Sequence, residues 1–387
     1  MKIFLKKLSS LTLAALFALL VGCSPSDTGA KSPTDAANEA TAAATTTDAT
    51  TTGTAISYQR HTYKMNDIKY RINVLGRSPI TEEGLRADWS ASGFEFVADC
   101  KNMIKITINS SHDCRFNFYA DGGELKAVNV SAGKRSYTVA NDLESGVHSF
   151  RFVKSSMVEH GTKALAVTIE SVELYGEIGQ AERREHLIEF IGDSITCGVG
   201  AKSNTDSGAY SELSYAYLTA NKLDADYSLV SVSGIGTGKS TERHGSTLIG
   251  DVYPLTNFYR SKTERYEPER KADLVVINLN TNDKGCFTAA QKDEFTAKVK
   301  GLVDTVKATH GDDVKIVWLM GMMFEAASGH CDVWTIQYFN ELGGEAAGYY
   351  YLTLNPNTAG GASHPIASAH ESAADALTEF IKSKGLL

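Results

Sequence analysis

Hydrophobic and polar residues alternate with a period of two between about residues 56 and 177. In one segment, Tyr70, Ile72 and Val74 are separated by Arg71 and Asn73. The same alternation recurs in the segments 104–108, 116–119, 147–153 and 165–174. Clusters of Gly and Asp separate these segments. Short alternating strands between such turns are typical of a β-sandwich, and we predict an all-β jelly roll over residues 56–177.

The pattern changes near residue 181, where hydrophobic residues instead form short continuous runs. These runs occupy residues 187–191, 227–232, 274–279, 314–320 and 349–354. Between them, helical spacing is followed by Phe295, Val299, Leu302, Val303 and Val306, and again by Ala373, Leu377, Phe380 and Ile381. Buried strands that alternate with helices predict an α/β/α domain over residues 178–387, built on a parallel sheet. Ligands of such sheets bind at the carboxyl ends of the strands.

The N-terminus has the pattern of an export signal. Basic residues precede an apolar stretch over residues 11–21, which is too short to span a bilayer comfortably. The stretch ends in Leu20-Val21-Gly22-Cys23, which resembles the bacterial lipobox. The resemblance implies that residues 1–23 are a lipoprotein signal peptide and that Cys23 is acylated. An ordinary signal peptide with a chance cysteine is the alternative.

Residues 24–55 are predicted to form a linker, because they contain mainly Ala, Thr and other small or polar residues with little to bury. Ser24 follows the cysteine at the position where an aspartate would mark retention in the inner membrane. In a Gram-negative cell, we therefore expect a lipoprotein of the outer membrane, held there by the lipid on Cys23.

Composition excludes some classes of function. The formal net charge of −8 argues against nucleic acid as the main partner, because binding a phosphate backbone requires a basic surface. Without a C-x-x-C pair or a cluster of ligands, we predict neither a metal site nor a cofactor. Beyond Cys23 there are five cysteines, and that odd number requires a free thiol or an intermolecular bond. Pairing is left open, with Cys286–Cys331 and Cys100–Cys114 as the candidates.

Four polar segments follow the predicted strands or precede the last helix. They are Gly192-Asp193-Ser194, Ser233-Gly234, Asn282-Asp283 and Ser363-His364. Ser194 alone could be a helix N-cap, and His364 alone could be a solvated loop residue. Because all four segments are expected at one edge of the sheet, they instead predict a nucleophile, hydrogen-bond donors and a base, which are the parts of an acyl-transfer site.

In this order, the four segments resemble the conserved blocks of the SGNH, or GDSL-like, hydrolase superfamily over about residues 185–387. The preceding β-sandwich makes the whole chain similar to carbohydrate esterase family two, the acetyl-xylan esterase type. The resemblance implies that Ser194 is the nucleophile and His364 the general base. It also implies an oxyanion hole formed by the N–H groups of Ser194 and Gly234 and by the side-chain amide of Asn282.

Two positions depart from the superfamily pattern. Asn280 replaces the usual first glycine of the third block, and we expect it to narrow the site or contact substrate. Gly361 replaces the usual aspartate of a triad, so a backbone carbonyl from residues 358–363 is expected to orient His364, with a remote acid as the alternative. His370 is a rival base. Trp334 is a candidate platform for a sugar ring, or else a residue that caps the core.

The expected activity is removal of acetyl groups from plant-type polysaccharides or oligosaccharides, such as acetylated xylan or mannan, through an acetyl-serine intermediate. Three alternatives are open. They are an esterase or lipase for non-carbohydrate esters, an acyltransferase that uses a sugar alcohol, and a surface lipoprotein that binds glycans without catalysis.

Overall fold

The structure is a computed structural model, and it describes residues 58–160, 163–325 and 329–387. The predicted signal peptide, the linker and Cys23 lie outside these residues. The described ranges contain no helix with the length and hydrophobicity of a membrane span.

An antiparallel, curled sheet forms the N-terminal part of the described chain. Its strands are β1 (Arg60–Lys64), β2 (Asn73–Leu75), β3 (Ile80–Thr81), β4 (Gly84–Arg86), β5 (Gly93–Ser110), β6 (Cys114–Ala120), β7 (Lys126–Val130), β8 (Gly133–Lys154) and β11 (Val167–Ile178). The strand order is β3-β4-β11-β5-β8-β6-β7, with β1 paired to β11 and β2 to β5. A separate pair is formed by β9 (Glu159–His160) and β10 (Lys163–Ala164). The predicted jelly-roll-like domain is confirmed.

Alternating residues of this sheet form one hydrophobic core. Aromatic rings from neighbouring strands stack there, as where Phe116 and Phe152 lie with their centroids 4.6 Å apart. The segment around Tyr70 differs from the prediction, because its side chain is 82% exposed and the strand begins only at Asn73. The residues before it form turns that bury Met65 and Ile68, so burial here does not follow the alternation.

The second half contains a five-stranded parallel sheet of β12 (Leu187–Gly192), β13 (Asp226–Ser231), β14 (Leu274–Asn278), β15 (Lys315–Gly321) and β16 (Tyr349–Leu354). The helices are α1 (Tyr215–Lys222), α2 (Ile249–Val252), α3 (Lys292–His310), α4 (His330–Glu341) and α5 (Ala367–Lys384). Apolar residues of α3 and α4 pack on one face of the sheet, and those of α1 and α5 pack on the other. The predicted α/β/α domain is therefore confirmed.

The strand order β13-β12-β14-β15-β16 reverses direction at β12. From β12 the chain moves to one side to form β13 and then returns to the other side to form β14. Such a reversal opens a crevice at the carboxyl ends of the strands, where ligands of α/β proteins bind. The fold thereby places the end of β12, and Ser194 just beyond it, at this crevice.

Buried ion pairs join the two regions. The guanidinium of Arg77 donates to both carboxylate oxygens of Glu189 on β12 at 3.2 and 3.1 Å, and both side chains are almost fully buried. The ring of Tyr266 lies 3.9 Å from the same guanidinium. A second pair connects Asp88 to Arg260 at 2.9 Å. The five cysteines in the described ranges are free thiols, so neither of the pairings considered from the sequence is present.

Candidate active site

Ser194 lies on a tight turn directly after β12. At Gly192, the last residue of that strand, a Cβ atom would lie 2.0 Å from Thr196 Oγ1, so only glycine fits. The N–H of Val199 donates to the carbonyl of Ser194 at 3.0 Å and closes the turn. Ser194 is thus held at the carboxyl edge of the sheet by close packing within this turn.

His364 reaches Ser194 from the loop that precedes α5. Its Nε2 lies 2.8 Å from Ser194 Oγ. The N–H of Gly361 in the same loop donates to the carbonyl of Gly200 at 3.0 Å, and a Cβ at Gly200 would lie 2.1 Å from the oxygen of Gly361. The segment after Ser194 and the loop that carries His364 therefore pack closely together, and the absence of a side chain at Gly200 makes this close approach possible.

The second ring nitrogen of His364 faces a backbone carbonyl. Nδ1 lies 2.9 Å from the oxygen of Ala362, within the segment from which a carbonyl was predicted. A carbonyl only accepts hydrogen bonds, so Nδ1 carries the proton and Nε2 is left to accept one from Ser194. Ala362 and Ser363 both have left-handed backbone conformations, with φ of 52° and 58°. Burial lowers the pKa of His364, which favours the neutral ring.

Gly234 and Asn282 follow the next two strands of the site. Gly234 has φ of 82°, and a Cβ there would lie 2.5 Å from Thr241 Oγ1, so conformation and space both require glycine. Asn282 Nδ2 donates to the carbonyl of Ile235 at 2.7 Å and contacts Asp193 Oδ2 at 3.2 Å. The amide of Asn282 therefore joins the turn after β12 to the loop after β13.

Two buried carboxyl groups brace these loops. Asp283 accepts hydrogen bonds from the backbone N–H groups of residues 237–239 at 2.9, 2.7 and 2.6 Å. Asp193 accepts one from the N–H of Ile195 at 2.9 Å. Burial raises the pKa of Asp193 to about 7 and that of Asp283 to about 6. In the residues described, no group of three or more His, Cys, Asp or Glu side chains is arranged to hold a metal ion.

Trp334 lies in α4 and packs into the core rather than lining the site. It is 6% exposed, its ring is stacked on His330 at 5.0 Å, and Phe295 lies 5.9 Å away. This placement contradicts the expected sugar platform. Phe324, which is 36% exposed, lines a depression beside Asn280.

Asn280 has φ of 77°, a conformation in which asparagine is the commonest substitute for glycine. Its amide nitrogen donates to Asp332 at 3.0 Å, and its oxygen accepts from Thr237 at 3.2 Å. The side-chain amide of Asn280, which was expected to contact substrate, is therefore hydrogen-bonded within the protein. The rival base His370 is fully buried, and its Nδ1 accepts from the N–H of Tyr215 at 3.1 Å, so it is excluded from the site.

A serine and a histidine in contact at the carboxyl edge of such a sheet define a class of hydrolases. Residues 190–377 match the GDSL-like Lipase/Acylhydrolase family. This part of the chain is therefore a GDSL-like SGNH hydrolase domain, and the resemblance inferred from the four polar segments is confirmed.

Within that class, the chain is closely similar to family two carbohydrate esterases. It is 28% identical to the cellulase/esterase CelE of Acetivibrio thermocellus over 78% of this chain and 38% of that protein. It is 32% identical to an acetylxylan esterase / glucomannan deacetylase of Cellvibrio japonicus over 34% of this chain and 36% of that protein. The chain thus spans less than two fifths of the length of either relative.

Solved structures extend the similarity to nearly the whole described chain. A family two carbohydrate esterase from Clostridium thermocellum in complex with cellohexaose superimposes with a TM-score of 0.70 at 26% identity. The match covers 82% of this chain and 100% of that one, so both the curled sheet and the hydrolase domain belong to the shared architecture.

Proposed function

We propose that the protein is a serine esterase that removes O-acetyl groups from plant-type polysaccharides or their fragments. The observation that supports this most directly is the contact between Ser194 and His364, with the distal nitrogen of the ring on the carbonyl of Ala362. Similarity to the acetylxylan esterase and to the esterase solved with cellohexaose favours an acetylated glycan as substrate.

In the proposed reaction, Ser194 Oγ attacks the acetyl carbonyl while His364 Nε2 takes the hydroxyl proton. His364 then returns this proton to the sugar oxygen that leaves, and acetyl-Ser194 remains. Water deprotonated by the same nitrogen attacks this ester, and acetate is released as His364 returns the proton to Ser194 Oγ. The carbonyl of Ala362 keeps the ring in the required tautomer and accepts from the imidazolium that forms.

The N–H groups of Ser194 and Gly234 and the amide of Asn282 are the proposed donors to the oxyanion. Asn282 Nδ2 has one short contact, to Ile235, and one longer contact, to Asp193. We expect the longer contact to be exchanged for the oxyanion, since catalytic hydrogen bonds often tighten only when substrate is bound. Aimed donors of this kind stabilise the charge that develops in the transition state.

The decisive experiment measures acetate release from acetylated xylan, glucomannan and pectin by the wild type and by Ser194→Ala and His364→Ala. Both variants should be nearly inactive. Asp283→Asn should cost much less, because its carboxylate braces a loop and does not orient His364. Faster turnover of long-chain acyl esters than of acetylated glycans would indicate a non-carbohydrate esterase. Transfer of acetyl to an added glycan would indicate an acyltransferase.

We further propose that Cys23 carries a lipid that anchors the protein to the cell envelope, in the outer membrane of a Gram-negative cell. Support for this comes from the lipobox-like sequence alone. An anchored esterase with a linker over residues 24–55 would act on glycan fragments close to the membrane surface.

A further inference from the structure

Two buried carboxylates of the N-terminal region reach arginines in loops of the hydrolase domain. Glu159 on β9 is 3% exposed and accepts a hydrogen bond from Arg243 at 3.2 Å. Asp88 is 2% exposed and accepts one from Arg260 at 2.9 Å. Both pairs tie the two regions together, but they differ in what the arginine contacts next.

Arg243 also donates to the carbonyl oxygen of Ser233. His244 Nε2 lies 2.7 Å from the same oxygen. One residue further, the carbonyl of Gly234 accepts from the N–H of Thr241 at 2.9 Å. The segment 241–244 therefore holds two successive peptide groups of the loop after β13.

The peptide between Ser233 and Gly234 is a single planar unit. In a trans peptide, the carbonyl of Ser233 and the N–H of Gly234 point in opposite directions. A guanidinium that fixes the carbonyl on one side therefore fixes the direction of the N–H on the other. The positive charge also polarises the peptide and makes its N–H a stronger donor, as in a chain of hydrogen bonds.

We propose that Glu159 and Arg243 are positioning residues for the oxyanion hole, through which the N-terminal domain orients and polarises the Ser233–Gly234 peptide. This rests on the proposed esterase function, in which the N–H of Gly234 binds the oxyanion. Glu159 restrains the guanidinium through its carboxylate. The side chain of Glu159 is fully buried, whereas that of Arg243 is 36% exposed. The curled sheet thereby acts on the rate of the chemical step.

The Asp88–Arg260 pair offers a matched control. Asp88 is as buried as Glu159, and its other partners are Asn257 Nδ2 at 3.0 Å and the N–H of Val167 at 2.9 Å. Losing Arg260 should weaken the junction between the two regions without changing the Ser233–Gly234 peptide. A role that is only structural would make Arg243 and Arg260 equivalent.

The test compares Arg243→Ala, Arg243→Lys, Glu159→Gln and Arg260→Ala with 4-nitrophenyl acetate, which carries no sugar. Removing a whole oxyanion donor costs about 100- to 1000-fold in kcat, so misdirecting one should cost about tenfold or more. We expect this loss in Arg243→Ala with KM little changed, a smaller loss in Arg243→Lys and Glu159→Gln, and wild-type kcat in Arg260→Ala. Added guanidinium should restore part of the kcat of Arg243→Ala.

Three results would overturn the proposal. Equal losses of kcat in Arg243→Ala and Arg260→Ala, in step with their Tm, would indicate a structural tie only. A rise in KM for acetylated xylan with normal turnover of 4-nitrophenyl acetate would make Arg243 a substrate contact. If the wild type itself lacks turnover that depends on Ser194, the proposed function fails, and this inference fails with it.

Discussion

At the scale of single residues, the proposed base, His364, is oriented by a neutral group. The carbonyl of Ala362 holds the tautomer of His364, and the left-handed conformations of Ala362 and Ser363 turn that carbonyl back toward the ring. A carbonyl stabilises the imidazolium less than a carboxylate would. Its advantage is that no mobile side chain has to be ordered, because the loop that carries this carbonyl is already packed against the turn after Ser194.

The first prediction at this scale concerns pH. Burial lowers the pKa of His364 below its ordinary value of 6.5, so the ring stays neutral and able to accept a proton in weak acid. The acidic limb of kcat/KM, which reports groups of the free enzyme, should therefore have its midpoint below 6.5. A pH profile with a soluble acetyl ester measures this. A midpoint at or above the ordinary value would mean that the ring is stabilised as a cation.

The second prediction concerns Asn282. Changing it to Ala deletes one proposed donor to the oxyanion and should lower kcat by about 100-fold or more. Because Asn282 is bonded to Ile235 and Asp193, Tm must be measured on the same preparation to separate rate from stability. Near-normal turnover in a folded variant would remove Asn282 from the oxyanion hole.

At the scale of elements, the site depends on how closely two loops approach. The segment after Ser194 is joined to the loop before α5 by the bond from Gly361 N to Gly200 O at 3.0 Å, and to the first residue of α5 by the bond from Ala367 N to Ala201 O at 2.8 Å. Neither loop contains a regular strand or a long helix, so the distance between Ser194 and His364 is set by this backbone contact.

We therefore predict that Gly200→Ala lowers kcat by about tenfold or more, since a displacement of about 1 Å can cost 100-fold. The new Cβ would clash with the oxygen of Gly361, and the φ of 70° at Gly200 disfavours alanine as well. Gly301→Ala in α3 is the matched control, because a Cβ there meets nothing within 4 Å. The control should leave kcat unchanged and raise Tm, as alanine favours helix over glycine.

Much of the fold could be predicted because parallel strands covered on both faces form continuous apolar runs, and all five runs in the second half are strands. The prediction that Trp334 is a sugar platform was wrong, and the sequence around it already indicated a buried position. Cys331, Trp334, Thr335, Tyr338 and Phe339 are spaced as one helix face, and all five are buried in α4. That spacing favoured a core position over a surface platform.

Other parts of the site could not be predicted. Nothing in Ala362 or Ser363 signals a left-handed conformation, because neither is glycine or asparagine. The contact between Glu159 and Arg243 joins residues 84 positions apart in different domains. Local sequence patterns do not predict a contact between residues so far apart. The bracing of residues 237–239 by Asp283 is tertiary for the same reason.

At the scale of the whole molecule, buried contacts connect the hydrolase domain to the N-terminal region. The side chain of Arg77 pairs with Glu189 on β12, the strand that ends at the turn carrying Ser194. Removing one partner of such a buried pair is strongly destabilising, since the other charge is left without compensation. The two regions are therefore expected to unfold together.

A final prediction concerns where this molecule is held. Cys23→Ala removes the proposed site of lipid attachment, so the protein should move from the membrane fraction to the soluble fraction. A cysteine that carries several acyl chains would hold the protein firmly at the membrane, whereas a single chain binds only weakly. Cys286→Ala is a suitable control, as it removes a thiol elsewhere and should leave the distribution unchanged. Continued partitioning of Cys23→Ala with membranes would contradict the anchor.

The uneven exposure of the thiols provides a place for a fluorescent reporter. Of the five described cysteines, only Cys286 is exposed, and its sulfur lies 3.6 Å from the carbonyl of Asn282. Burial raises the pKa of Cys100 to about 11 and that of Cys197 and Cys331 to about 12, so these three react slowly near neutral pH. An environment-sensitive maleimide dye should thus mark Cys286 selectively in the described part of the chain. In a Ser194→Ala background, where no ester should be cleaved, its emission would report binding of the proposed glycan substrate in the crevice.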